Sequence, residues 1–166
     1  MNYILETERL MLREFKNSDA KFIIELLNSP GWLDFIGNRN VHTTEEAINY
    51  MENGAITKNR FKGFGLSLVE NKKDKLAIGM CGLVKREYLE HPDLGFAFLP
   101  DAMQKGYAFE IAEATLRYCR EALNIQQVCA ITSPENNRSI KLLGKLGMFT
   151  NQTIKTPDNE MLMLFC

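Results

Sequence analysis

Nothing in the 166 residues is spaced to bind a metal or to build a disulfide framework. Cys81, Cys119, Cys129 and Cys166 are scattered, with no Cys-x-x-Cys pair and no regular cysteine-histidine interval. They read as reduced, mostly packed thiols, and no metal site is expected. His42 and His91 stand alone, and an isolated histidine is more often a surface or hydrogen-bonded residue than a ligand or a base. An excess of positive charge is also missing. The 20 basic and 21 acidic residues nearly cancel, which removes the footprint of proteins held to nucleic acid by counterion release, so no DNA partner is expected. The chain does not open on a basic stretch followed by an apolar one, and no apolar run is long enough to span a bilayer. The expectation is a cytoplasmic protein without a membrane partner. The two common glycine-rich nucleotide strings, Gly-x-x-x-x-Gly-Lys-Ser/Thr and Gly-x-Gly-x-x-Gly, are absent as well.

What is present is enough apolar residue, 45%, to bury the core of one domain, and no linker or repeat divides residues 1–166. Arg9 to Phe15 has the character of a first strand, and Asn17-Ser18-Asp19 supplies cap chemistry for a helix on which Phe22, Ile23, Leu26 and Leu27 recur. Asn28 to Gly31 ends that helix. Trp32 to Gly37 is an aromatic-rich connection without periodicity, either core or a substrate-facing loop. Thr43-Thr44-Glu45-Glu46 forms a capping box for a second helix running to Asn53-Gly54.

Beyond Gly63 the period changes to two, and the stretches 64–69 and 76–84 predict a hairpin about the polar turn Asn71 to Asp74. The second of these is apolar on both faces, as in a central strand covered on two sides. Asp93 to Leu99 is a further strand, stopped by Pro100. Small and apolar residues at three- and four-residue spacing predict a helix from Gly106 to Leu123. A strand over Gln127 to Thr132, a helix over Asn136 to Leu146 ended by Gly147, and two terminal strands complete an α+β chain with helices flanking a mostly antiparallel sheet.

The strand, the loop ending Gln104-Lys105-Gly106 and the helix that follows place unpaired amides and the positive end of a helix dipole at one point. Such a point holds anions. Gly106 lets backbone approach a phosphate, Ala108 keeps the first turn narrow, and Lys105 adds charge at the rim. A glycine there also serves backbone conformation alone, so the segment by itself implies only a phosphate-bearing ligand.

Leu94-Gly95-Phe96, then Pro100-Asp101, then Lys105-Gly106-Tyr107-Ala108 with Glu110, resembles the pyrophosphate-binding motif of the GCN5-related N-acetyltransferase family. Asn136-Asn137-Arg138-Ser139-Ile140, continuing to Lys145-Leu146-Gly147-Met148, resembles that family's later helix. Glu8-Arg9-Leu10 with Leu12-Arg13 and Asp19 is similar to the opening of the branch that acetylates ribosomal-protein N-termini and spermidine. The resemblance implies that family's fold, a mixed, mostly antiparallel sheet of about six to seven strands flanked by about four helices. It implies acetyl-coenzyme A as co-substrate and an amine acceptor, either a small molecule or a protein N-terminus, in a monomer or homodimer. Backbone amides of Gln104, Lys105, Gly106, Tyr107, Ala108 and Phe109 would hold the pyrophosphate, backbone of Phe98 and Leu99 would pair with pantetheine, and Asn136 and Ser139 would line its thiol end. Asn136 reads equally as a helix N-cap. Met103, Gln104, Leu143 and Gly144 depart from the family pattern, Leu143 standing where many members have Tyr.

Acetyl transfer needs a deprotonated amine, a donor for the developing oxyanion and a way to protonate the departing thiolate. The resemblance places Asp93 as the base, acting through water, with a solvated carboxylate at a strand start as its bland alternative. The Phe98 amide would polarise the thioester carbonyl and Ser139 would hydrogen-bond the sulfur. Trp32, Phe35, Ile36, Arg39 and His42 would shape the acceptor pocket or simply pack a loop. A non-catalytic acyl-coenzyme A sensor or interaction module is the rival function, and a nucleotide-phosphate binder is a second.

Overall fold

Leu68 and Met80 join one buried cluster, Val69 and Cys81 another, and all four side chains are shut off from solvent. Adjacent strands with two apolar faces need cover on both sides. The computed structural model, which describes residues 3–166, supplies it. Five strands, β1 (Tyr3–Glu6), β2 (Leu10–Arg13), β3 (Ser67–Asn71), β4 (Ala77–Val84) and β5 (Asp93–Phe98), form an antiparallel sheet in sequence order. Helices α1 (Ala20–Leu27), α2 (Pro30–Phe35), α3 (Thr44–Asn53) and α4 (Ala55–Lys58), inserted between β2 and β3, cover the Leu68 face. Helix α5 (Tyr107–Glu121) covers the other, through Ile111, Ala112 and Cys119.

A second sheet, in the order β6-β8-β7, is built from β6 (Ala130–Thr132), β7 (Thr150–Lys155) and β8 (Met161–Phe165), with α6 (Asn137–Lys145) between β6 and β7. Among the described residues the two sheets are bridged at one place. Asp93 and Cys129 form a parallel bridge, in which Leu94 N–H donates to Cys129 O at 2.7 Å and Cys129 N–H donates to Pro92 O at 2.9 Å. Beyond it β5 and β6 diverge, and this divergence opens the cleft described below.

Local chemistry explains most boundaries. Thr43 Oγ1 accepts from Glu46 N–H while Glu46 takes the Thr43 and His42 amides, the capping box foreseen for α3. Gly147, at φ +78°, ends α6 in the left-handed conformation. Among the described residues, eight strands and six helices exceed the expected six to seven and four, because β1 precedes the first strand expected and α2 and α4 are short. Of the connection Trp32 to Gly37, expected to be core or a substrate-facing loop, Trp32 to Phe35 lies within α2, and Trp32 is in the core.

Two groups hold the layers together. Arg13, on β2, donates to both oxygens of Asp19 (2.8 and 2.9 Å) and to Glu70 on β3 (3.1 Å), all three residues being under 10% exposed. The second overturns an expectation. Cys129 and Cys166, read as reduced thiols, form a disulfide, whereas Cys81 and Cys119 are free and buried. The cause is register: Ala130 pairs with Phe165, which sets the residues just outside that pair, Cys129 and Cys166, side by side.

Candidate functional site

Ladder alternation determines which backbone groups of β5 are free. Leu99 N–H donates to Ile78 O on the β4 side, and in an antiparallel ladder the residues one step away point both backbone groups to the opposite edge. Leu94 obeys this rule, since its amide reaches Cys129. Phe96 and Phe98 therefore direct N–H and C=O to the edge from which β6 has departed, and no described residue accepts those two amides. Leu99 differs: its amide serves Ile78 and its carbonyl accepts from Ala102, so the pairing edge belongs to Phe96 and Phe98.

The chain next makes a 3-10 turn over Pro100–Ala102 and reaches two left-handed residues, Gln104 (φ +61°) and Gly106 (φ +79°), before α5 begins. The first helical amide with a backbone acceptor is that of Glu110, bonded to Gly106 O at 3.1 Å. From Gln104 to Phe109 no amide has an acceptor among the described residues. All of these residues except Lys105 line a cavity of about 400 Å³ between β5, the α5 start and α6, walled also by Phe96, Phe98, Met103 and Leu142. Met103 also accepts from Arg138 Nη1 at 3.1 Å, tying the loop to α6. A Cβ on Gly106 would meet Arg9 Nη2 at 3.3 Å, so the glycine serves the positive φ and the seat of Arg9 as well as the cleft.

A larger cavity, about 590 Å³, adjoins the first and shares Trp32, Phe35, Ile36, Phe96, Ala97, Asn136 and Ser139 with it. Those seven residues mark where the two cavities join. Asn136 Oδ1 accepts Ser139 N–H at 3.2 Å, so it caps α6 while lining both cavities. Ser139 is half-buried, and its hydroxyl has no partner among the described residues. Leu143 is 1% exposed and lines the larger cavity with no phenol.

Asp93 lines the same cavity and is only 2% exposed, so the solvated-carboxylate alternative does not describe it. Burial pushes its carboxyl up to about 6, against the opposing pull of Arg86, whose Nε donates to Oδ1 at 3.0 Å. Arg86 was not singled out in the sequence, because nothing in the charged interval 85–92 indicates which residue folds back onto β5. Trp32, Phe35, Ile36 and Arg39 line this cavity, but His42 does not. Among the described residues no three His, Cys, Asp or Glu side chains are grouped to hold a metal ion, and no helix is long and apolar enough to cross a membrane.

A free strand edge leading into an amide-lined turn, with a second cavity meeting it midway, is the architecture of an acyltransferase site. The comparisons agree. The model of the Acetyltransferase (GNAT) domain matches residues 9–149, and the chain belongs to that family. It is 26% identical over 146 residues to an uncharacterized N-acetyltransferase of Bacillus subtilis, YoaA, covering 87% of this chain and 81% of that one. It is 29% identical over 157 residues to the uncharacterized protein YkkB of the same organism, covering 91% and 88%. In fold it is similar to an acetyltransferase from Agrobacterium tumefaciens (TM-score 0.80, 22% identity, 99% and 93% covered). It is also similar to a ribosomal-protein-S5-alanine acetyltransferase from Vibrio fischeri (TM-score 0.73, 19% identity, 97% and 93% covered). The chain is an acetyltransferase.

Proposed function

We propose that the protein transfers the acetyl group of acetyl-coenzyme A to a primary amine by direct attack within a ternary complex. The observation that carries this reading is the meeting of the two cavities along shared walls, with Trp32 and Phe35 of α2 and Ile36 at its end joining Phe96, Ala97, Asn136 and Ser139, which offers a place for thioester and amine to touch. The Gln104–Phe109 amides receive the pyrophosphate, and the free edge at Phe96 and Phe98 takes the pantetheine amides as a neighbouring strand would. Lone amides aimed at one side of a cleft suit the carbonyl oxygen of a thioester, and the Phe98 amide is placed to stabilise the charge it acquires.

In the reaction the amine nitrogen bonds to the acetyl carbon, its proton passes through water to the Asp93 carboxylate, and the carbon–sulfur bond breaks. The departing sulfur accepts a hydrogen bond from Ser139 and leaves as a thiol by taking a proton from solvent, to which Asp93 returns the one it received. A covalent acyl-enzyme has no support. Burial drives the free thiols Cys81 and Cys119 up to about 12, and neither lines either of the two cavities.

The test is thiol release from acetyl-coenzyme A in the presence of a panel of primary amines covering amino acids, polyamines, aminoglycosides and peptide N-termini. Amine-dependent release is expected with at least one class. Tight coenzyme A binding without amine-dependent release from any class would make the protein a binding module and overturn the reading.

A further inference from the structure

Arg9 reaches the phosphate-facing loop from the turn between β1 and β2. Its Nη1 donates to Lys105 O at 2.9 Å, its Nε to Glu110 Oε2 at 2.6 Å, and its own amide to Glu110 Oε1 at 2.9 Å. Thr7 Oγ1 donates to that same Oε1 at 2.5 Å. The guanidinium also lies over the Tyr107 ring, 4.6 Å from its centre. One side chain thus bears on Lys105, Gly106, Tyr107 and Glu110. It does so from behind, because Arg9 is not among the residues lining the cleft.

The consequence follows from peptide geometry. In a trans peptide the carbonyl and the next N–H point in opposite directions. Lys105 O and Gly106 N–H belong to one peptide, so a donor that holds Lys105 O at the back turns Gly106 N–H toward the cleft, which Gly106 lines. That peptide leads into the left-handed Gly106, with the left-handed Gln104 one residue before it, and a rotated alternative would present a carbonyl oxygen to an arriving anion. Burial acts to raise the Glu110 carboxyl, but the bonds from Thr7, the Arg9 amide and the Arg9 guanidinium outweigh it and keep the anion that anchors Arg9.

The geometry points to Arg9 as a positioning residue that sets the orientation of the Lys105–Gly106 peptide for coenzyme A phosphate binding, with Glu110 and Thr7 as its anchor. The assignment rests on the proposed function, in that the loop is taken to bind the coenzyme A pyrophosphate. Arg9→Ala is expected to weaken coenzyme A binding, by calorimetry, about tenfold or more, as loss of a charge-assisted bond implies. Arg9→Lys should weaken it also, since one ammonium cannot serve Lys105 O and Glu110 through two separate nitrogens. Turnover of acetyl-pantetheine, which lacks the pyrophosphate, should stay within about twofold of the parent while KM for acetyl-coenzyme A rises. Parent-like coenzyme A affinity in both variants overturns the assignment, and so does an equal loss with acetyl-pantetheine, which marks a general structural defect. Should Arg9→Ala fail to fold, Arg9→Lys decides on the same criteria. A parent chain that does not bind coenzyme A overturns the proposed function itself, and the assignment with it.

Discussion

Asp93 is held between two opposing influences, burial that disfavours its charge and Arg86 that favours it, and burial prevails. A base with a carboxyl near 6 is ionised at neutral pH yet basic enough to take an amine proton through water. Below about pH 6 it is protonated, so kcat/KM should fall with an apparent pKa near 6, and the pH profile checks it. Asp93→Asn should lower turnover roughly 100-fold or more with coenzyme A affinity unchanged, measured by single-turnover kinetics and calorimetry. The sign of the stability effect separates this from simple damage. A folded value raised above the ordinary 3.8 means that the site favours the neutral form, so its contribution to stability is present below about pH 4 and lost as pH rises through 6. A neutral asparagine is then expected to keep the melting temperature at pH 7.5 close to that of the parent. Ser139→Ala should act on turnover alone, its hydroxyl having no protein partner to lose. Gln104 illustrates a different cost. A side chain at φ +61° pays about 1–2 kcal/mol for the left-handed conformation, more than the 0.5–1 kcal/mol entropic cost of glycine. Gln104→Gly should therefore raise stability by about 0.5–1 kcal/mol in denaturant titration.

At the scale of elements, legibility in the sequence followed the range of the determining interaction. The α3 cap is settled within four residues, from Thr43 to Glu46, and the loop before α5 within a few more, so both were visible. Helix α2 is hidden because six residues hold too few turns for periodicity, and Asn28-Ser29-Pro30 reads as a stop. Ser29 at the cap and Pro30 in the first turn were the available signal for a new start. The Cys129–Cys166 bond depends on the register of strands separated by a helix and a hairpin, which no local pattern encodes. Closing a 37-residue separation, it is expected in the chain-entropy model to contribute about 4 kcal/mol, so Cys166→Ser should lower the denaturation midpoint markedly. The Arg13 group behaves likewise: Asp19→Ala would leave a buried guanidinium short of one partner, at a cost of about 3–5 kcal/mol.

In the whole molecule, two sheets are joined at a single bridge among the described residues and then part, which leaves Phe96 and Phe98 as interior strand residues without a neighbour. Their amides should exchange with deuterium quickly in the free protein and slow down when coenzyme A is added. The Leu94 and Leu99 amides, already bonded to Cys129 and Ile78, should respond little. Equal protection of all four in the free protein would contradict the open edge. The candidate site was legible in outline because its loop is contiguous. The second cavity was legible only in part: Trp32, Phe35, Ile36, Arg39 and Asp93 line it, whereas the walls given by β4, β6 and the turn before β8 come from segments that no local pattern brings together.

The parted strands have one more consequence. A ligand that stands where a strand is missing is a member of the structure, and a protein that binds it only when folded gains about 2.7 kcal/mol at a hundredfold excess over Kd. Fewer molecules then visit the unfolded state that proteases recognise. Supply of the acetyl donor would govern how long each copy of the protein survives as well as how fast it works.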